Sequence, residues 1–179
     1  AALALHLLDS EHPPSVIILN DINTDLVNLY KVVKSNPHEL LAYLKALQAE
    51  YDKLEDKESK QPYYYAKREE FNTREADNIK HAGLFVFLNR AGFNGLYRVN
   101  SKNKFNVPIG SYKKPTFVFE DTILHASNAL ANVEIYNQSY EDTLSHLEHF
   151  NKSNLPALFY FDPPYKPLSQ SSSFTCYSK

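Results

Sequence analysis

One cysteine, Cys176, stands among 179 residues. A lone thiol excludes an internal disulfide framework and fits a reducing, cytosolic setting. No apolar run approaches the roughly 20 residues needed to cross a bilayer, and no signal-peptide pattern is visible. Methionine is absent, and the chain opens on Ala1-Ala2-Leu3-Ala4-Leu5, which reads as helix interior. It ends on Phe174-Thr175-Cys176-Tyr177-Ser178-Lys179 with no closing element. Together these lead to the expectation of an internal fragment of a larger domain. One further absence concerns charge. From Asn78 to Phe119 there is no Asp or Glu, although the chain holds 21 acids. Seven basic residues fall in that segment: Lys80, Arg90, Arg98, Lys102, Lys104, Lys113 and Lys114. A basic, acid-free stretch in a protein of net charge −2 suggests a surface for a polyanion. A solvated charged face is the other reading.

What is present suits a folded α/β domain. Hydrophobic residues make up 43% of the chain, and 11 Phe with 13 Tyr supply bulk for a core. Val16-Ile17-Ile18-Leu19 reads as a short strand after Pro13-Pro14. Thr24 is placed to cap a helix with Leu26, Leu29, Tyr30 and Val33 on its apolar face. Asn36-Pro37-His38-Glu39 has the form of a helix start, with an Asn cap, Pro at the first position and Glu three residues after the cap. That helix shows Leu40, Leu41, Leu44 and Leu47 and turns highly charged through Lys60. Tyr63-Tyr64-Tyr65 falls between two helical patterns, and Thr73 is the expected cap of the next helix, which runs to about Asn89. Tyr97 to Val107 reads as a hairpin with Ser101-Lys102-Asn103 at its tip.

Beyond it, Asp121 to Leu130 reads as a helix, Val133 to Tyr136 as a strand and Tyr140 to Phe150 as a helix. Ala157-Leu158-Phe159-Tyr160-Phe161 then has the look of a buried strand of a parallel sheet. The expected architecture is therefore a parallel sheet with covering helices. Residues 1–35 and 116–179 form its core, and 36–115 are an inserted helical and hairpin region.

Two acids follow strands in this scheme, Asp21 and Asp162. Ligands of open α/β sheets bind at the carboxyl ends of the strands, where a carboxylate can accept from both ribose hydroxyls. A helix-start acid is the alternative for Asp21. After Asp162 come Pro163, Pro164 and Tyr165; neither proline has an N–H for a sheet ladder, so the strand must stop there.

Asp162-Pro163-Pro164-Tyr165 resembles the DPPY motif of methyltransferases that act on exocyclic amines of DNA bases. A second stretch strengthens the match. Leu88-Asn89-Arg90-Ala91-Gly92-Phe93-Asn94-Gly95-Leu96-Tyr97-Arg98-Val99-Asn100, continuing through Pro108 and Gly110 to Tyr112-Lys113-Lys114-Pro115, is similar to the DNA-recognition hairpin of Dam-type adenine methyltransferases. Asn20-Asp21-Ile22-Asn23 resembles that family's cofactor acid. The order also agrees: cofactor acid, recognition region, DPPY.

The resemblance implies a Rossmann-like core dependent on S-adenosylmethionine, methylating adenine N6 in duplex DNA at GATC by base flipping. It implies Asp162, Pro163 and Tyr165 as catalytic, and Asp21 with Asp162 at the cofactor. Asp162 and the Pro163 carbonyl would each accept an N6 hydrogen, and Tyr165 would stack on the flipped ring. DNA contacts would come from Arg90, Phe93, Asn94, Leu96, Arg98, Pro108, Tyr112 and Lys113, with Lys102, Lys104 and Lys114 on phosphates. For Phe93 the choice lies between filling the space left by the adenine and packing in the hairpin core. Tyr65, Arg68, Phe71 and Asn72 match a family stretch and read as structural. Departures are Ser139-Tyr140, where many relatives have Asp-Phe, and Ser111, often Arg. The family's glycine-rich cofactor loop lies outside this chain. The implied setting is cytoplasmic and DNA-associated, with a cognate restriction endonuclease as a possible companion and no metal. An amine methyltransferase for RNA or protein, or a non-catalytic DNA-binding fragment, are the alternatives.

Overall fold

A computed structural model describes residues 2–75, 77–143 and 158–162. Its elements run α1 (Ala2–Leu8), β1 (Ile17–Asn20), α2 (Thr24–Ser35), α3 (Pro37–Asp52), α4 (Lys57–Thr73), α5 (Asn78–Ala91), α6 (Glu120–Leu130) and β2 (Val133–Tyr136). β1 and β2 pair in parallel, with Ile17 opposite Val133 and Asn20 opposite Tyr136. Parallel neighbours need a long crossover, and here it carries α2 to α6.

Leucines make α3 the inner helix. Leu40, Leu44, Leu47 and Tyr51 recur at three- and four-residue steps, so they share one face, and all are buried. α4 adds Tyr64 and Phe71, and α5 adds Leu84, Phe87, Leu88 and Ala91. Val32 and Val33 of α2, Phe105, Val107, Phe117, Leu130 and Val133 belong to the same buried cluster. The segment 36–115 thus shares one core with the residues on either side of it.

Several local expectations change. The cap of α2 is Asn23, not Thr24: its side-chain oxygen accepts from the N–H groups of Asp25 and Leu26. Asp21 forces this, because its Oδ1 takes the Asn23 N–H at 2.7 Å and turns the chain one residue early. Asn36 makes no side-chain cap bond to α3; its N–H closes α2 on the Val32 carbonyl at 2.7 Å. The charged continuation of α3 does not exist as such. α3 ends at Asp52, and α4 restarts behind a capping box of Asp56 with Ser59. Tyr63-Tyr64-Tyr65 lies inside α4, and Thr73 is its last residue, while Asp77 caps α5 through the Lys80 N–H. Tyrosine at three consecutive positions masked the helical period, since only Tyr64 faces fully inward.

The largest correction concerns the apolar run. Leu158 to Phe161 is not a strand, and all four residues are exposed, Leu158 to 80%. Hydrophobicity alone does not make a strand; a ladder partner must take its backbone hydrogen bonds. Among the described residues, the sheet contains only β1 and β2. The helix expected from Tyr140 to Phe150 is helical through 143, and its remainder lies outside the described residues.

Candidate active site and nucleic-acid interface

Asp21 follows the last residue of β1, at the carboxyl edge of the parallel pair. Its backbone continues the ladder, the N–H reaching the Tyr136 carbonyl at 3.4 Å, and Asn137 Nδ2 donates to the Asp21 carbonyl at 2.9 Å. One carboxylate oxygen is held by the Asn23 N–H. The other makes no hydrogen bond to the described residues, and the side chain is half-buried. Ile22 beside it is an exposed apolar side chain. Asp162 is exposed at the end of the described apolar run. Pro163 and Tyr165 lie outside the described residues.

The basic segment forms a hairpin by an unusual economy of backbone pairing. Val99 and Phe105 make an antiparallel bridge, with Asn100 N–H to the Lys104 carbonyl at 2.9 Å and Asn106 N–H to Arg98 at 3.1 Å. The tip is the expected one. Asn100 Oδ1 accepts from the N–H groups of Lys102 and Lys104, and Asn103 adopts the left-handed conformation at φ 56°. Helix α4 supplies the rest. Asn72 donates to the Phe105 carbonyl at 3.0 Å and accepts its N–H at 2.7 Å, so one amide side chain replaces a neighbouring strand. Tyr64 and Arg68 both donate to the Val107 carbonyl. The structural reading of Tyr65, Arg68, Phe71 and Asn72 agrees with this: Arg68 and Asn72 make the contacts above, Phe71 is fully buried, and Tyr65 packs partly buried against the core.

Between α5 and the hairpin, Phe93-Asn94-Gly95 makes a 3-10 turn. It is pinned by Phe93 N–H to the Pro108 carbonyl at 2.9 Å and by Gly110 N–H to Ala91 at 2.8 Å. Gly92 allows this closure: a Cβ there would sit 2.4 Å from the Leu88 carbonyl oxygen. Phe93 is 48% exposed, which argues against its being hairpin core. Asn94 and Pro108 are exposed beside it, whereas Leu96 is half-buried against the core. Tyr112, Lys113 and Lys114 form an exposed run, with Lys60 Nζ on the Lys113 carbonyl at 3.2 Å.

Arg98 bonds along its own hairpin: Nε to Asn106 Oδ1 at 2.7 Å and an Nη to the Asn106 carbonyl at 3.3 Å. Arg90 is exposed, donates to Thr116 and lies over the Phe119 ring at 4.8 Å. The structure therefore brings Phe93, Asn94 and Pro108 to one turn and holds Arg98 on the arm that follows.

Sequence reasoning missed a buried polar cluster. Asp25, 5% exposed, is the second residue of α2. His81 Nε2 lies 2.9 Å from its Oδ1, Tyr97 donates to Oδ2 at 2.7 Å, and Arg74 pairs with Oδ1. Burial alone would push this carboxyl up. The bonds from His81 and Tyr97 and the Arg74 charge outweigh it and hold Asp25 below the ordinary carboxylate value. Tyr97 is pushed up by burial and by the same carboxylate. No sequence signal marks Asp25, because an acid in the first turn of a helix is commonplace.

The described residues make a mostly helical α/β arrangement with a two-stranded parallel sheet and an acid at its carboxyl edge, the place where α/β proteins bind ligands. Comparison with known families makes this particular. The description "D12 class N6 adenine-specific DNA methyltransferase" matches residues 2–179, and the chain belongs to that family. It is 41% identical over 165 residues to the type II methyltransferase M.MjaIII of Methanocaldococcus jannaschii, covering 91% of this chain and 55% of the relative. It is 39% identical over 160 residues to the DNA adenine methylase of Salmonella typhi, covering 89% and 52%. With the type II methyltransferase M1.LlaDCHI of Lactococcus lactis it shares 35% over 173 residues, covering 94% and 56%. The chain thus spans about half the length of these relatives. The family uses S-adenosylmethionine. The second carboxylate oxygen of Asp21 is an acceptor of the kind a ribose hydroxyl requires.

Proposed function

We propose that this protein transfers a methyl group to adenine N6 in duplex DNA, at GATC, with S-adenosylmethionine as donor. The observation that carries this reading is Phe93, a large aromatic exposed on a turn that the Pro108 carbonyl holds in place. An exposed aromatic on a backbone-anchored turn at the head of a basic hairpin suits filling the gap left by a base rotated out of the helix. Asn94 and Pro108 flank it for base-edge and methyl contacts, with Leu96 partly buried behind them. The role of Arg98 follows from its bracing. Asn106 fixes the guanidinium plane without neutralising it, so its remaining N–H groups can read guanine. Arg90, Tyr112 and the lysines from Lys102 to Lys114 supply phosphate contacts, which give affinity without sequence information.

Adenine N6 is a weak nucleophile because its lone pair is delocalised into the ring. In this reading, the Asp162 carboxylate and the Pro163 carbonyl each accept one N6 hydrogen and turn the lone pair out of conjugation. Tyr165 stacks on the ring, and Asp21 holds the cofactor ribose. Bound S-adenosylmethionine supplies an electrophilic methyl group. Positioning and fixed charge carry the rate, and metal or covalent enzyme chemistry has no part. The sets of names among the relatives, adenine methylase and type II methyltransferase, suit either a solitary enzyme or one with a companion endonuclease.

Digestion of product DNA with methylation-sensitive nucleases tests this directly. Protection is expected at GATC sites; protection elsewhere, or none with active cofactor turnover, would remove the assignment of target. A second expectation concerns Arg98→Ala. Discrimination against a duplex changed at one guanine should fall by about 1–3 kcal/mol, measured by competition binding. Equal losses on cognate and random duplexes would make Arg98 a phosphate contact instead.

A further inference from the structure

Asp25 receives donors from three separate elements. His81 comes from α5, Arg74 is the residue that closes α4, and Tyr97 opens the hairpin. Arg74 extends the tie, since its second Nη donates to the Asn103 carbonyl at the hairpin tip at 2.9 Å. One carboxylate therefore holds the start of the hairpin directly and its tip through one intermediary. Packing locks the donors: Phe71 stacks on His81 at 4.3 Å, and Tyr97 stacks on Phe85 at 5.3 Å. On the other side, Asp25 follows Asp21 by four residues, as the second residue of the helix that Asn23 caps.

The hairpin has little backbone pairing of its own, so its position depends on side chains reaching it from outside. Arg98 follows Tyr97 immediately. A backbone no longer held at Tyr97 is no longer held next to Arg98, and bidentate base contacts tolerate little displacement. We infer that Asp25 is a positioning residue for target discrimination: through Tyr97 and Arg74 it fixes the recognition hairpin against the loop that carries Asp21. This rests on the reading of residues 97–107 as a DNA-recognition hairpin.

Two variants of the protein test it. Asp25→Asn keeps the shape and removes the charge. Tyr97→Phe keeps the ring on Phe85 and removes only the hydroxyl. Each is compared with the wild type in competition binding on the cognate duplex, duplexes changed at one base, and random duplex, across a salt series. The expected result is a roughly tenfold loss of the cognate-to-changed ratio, the scale of one hydrogen bond to a charged group. Affinity for random duplex stays within about twofold and its salt slope is unchanged, because no phosphate contact is touched. An unchanged ratio in folded Tyr97→Phe overturns the inference, as does an equal loss on all duplexes, which is what general destabilisation would give. If Asp25→Asn fails to fold, Tyr97→Phe decides alone. A wild-type protein that binds every duplex equally overturns the recognition reading itself, and this proposal with it.

Discussion

Asp162→Ala is expected to lower methyl transfer by roughly 10²- to 10³-fold or more while leaving DNA binding close to wild type. Removing one preorganised hydrogen-bonding group from a reacting centre costs about 2.7–4 kcal/mol of transition-state stabilisation. Asp162 is proposed to do more than that, since it bears a full charge where positive charge develops on the amine. The Pro163 carbonyl would then be the only acceptor left, and it orients one N–H but not both. The phosphate and base contacts assigned to Arg90, Arg98 and Lys113 are untouched, so the specific complex should still form. Single-turnover transfer of labelled methyl, paired with equilibrium binding, separates the two quantities. A rate within tenfold of wild type would remove Asp162 from the chemistry. A proportionate loss of binding would make it a DNA or cofactor contact first.

Phe87→Ala should be the most damaging single truncation of the core. The ring is fully buried and meets four others: Phe117 at 4.9 Å, Tyr51 at 5.7 Å, Tyr63 at 5.8 Å and Tyr64 at 6.0 Å. Most of these pairs are edge-to-face, the arrangement aromatic quadrupoles favour. Four stiff rings from three places in the chain cannot collapse into the space together, so the cavity persists. The expected cost is about 3–5 kcal/mol, a large part of the roughly 5–15 kcal/mol that holds a domain folded. For a chain of this length that corresponds to a fall in Tm of roughly 10 °C. Calorimetry or denaturant titration reads it, and a loss below about 1 kcal/mol would contradict the packing described.

Periodic features were readable from the chain. Leu40, Leu44 and Leu47 announced the buried face of α3, and the β-branched residues around Ile17 and Val133 announced the two strands that pair. The hairpin tip was readable because Asn100 to Asn103 has the composition that left-handed turns require. Asp21 could be placed at a strand end because it follows a short β-branched run directly.

What local pattern could not reveal was partnership over distance. Asp25 is 49 residues from Arg74, 56 from His81 and 72 from Tyr97. Its charge is sustained by that company and by nothing near it in sequence. The misreading of Leu158 to Phe161 has the same origin in reverse. An apolar run carries no information about whether an edge is there to pair with it. Thr24 lost its expected role to Asn23 because a turn set by Asp21 came first, a competition between neighbours that single-residue preferences do not weigh.

The dependence of the hairpin on Asn72, Tyr64, Arg74 and Asp25 has a bearing on transplantation. A ribbon whose own ladder is a single bridge is not a cassette. Moving residues 97–107 into another scaffold would carry away the Tyr97 hydroxyl and the Phe105 backbone while leaving their partners behind. The donor protein would keep a buried carboxylate short of one donor, and the recipient would gain a loop with no fixed shape. A graft of the hairpin would have to carry residues 64–74 with it, together with an acid on the receiving helix. The unit of exchange in this fold is therefore the ribbon plus the surface that grips it.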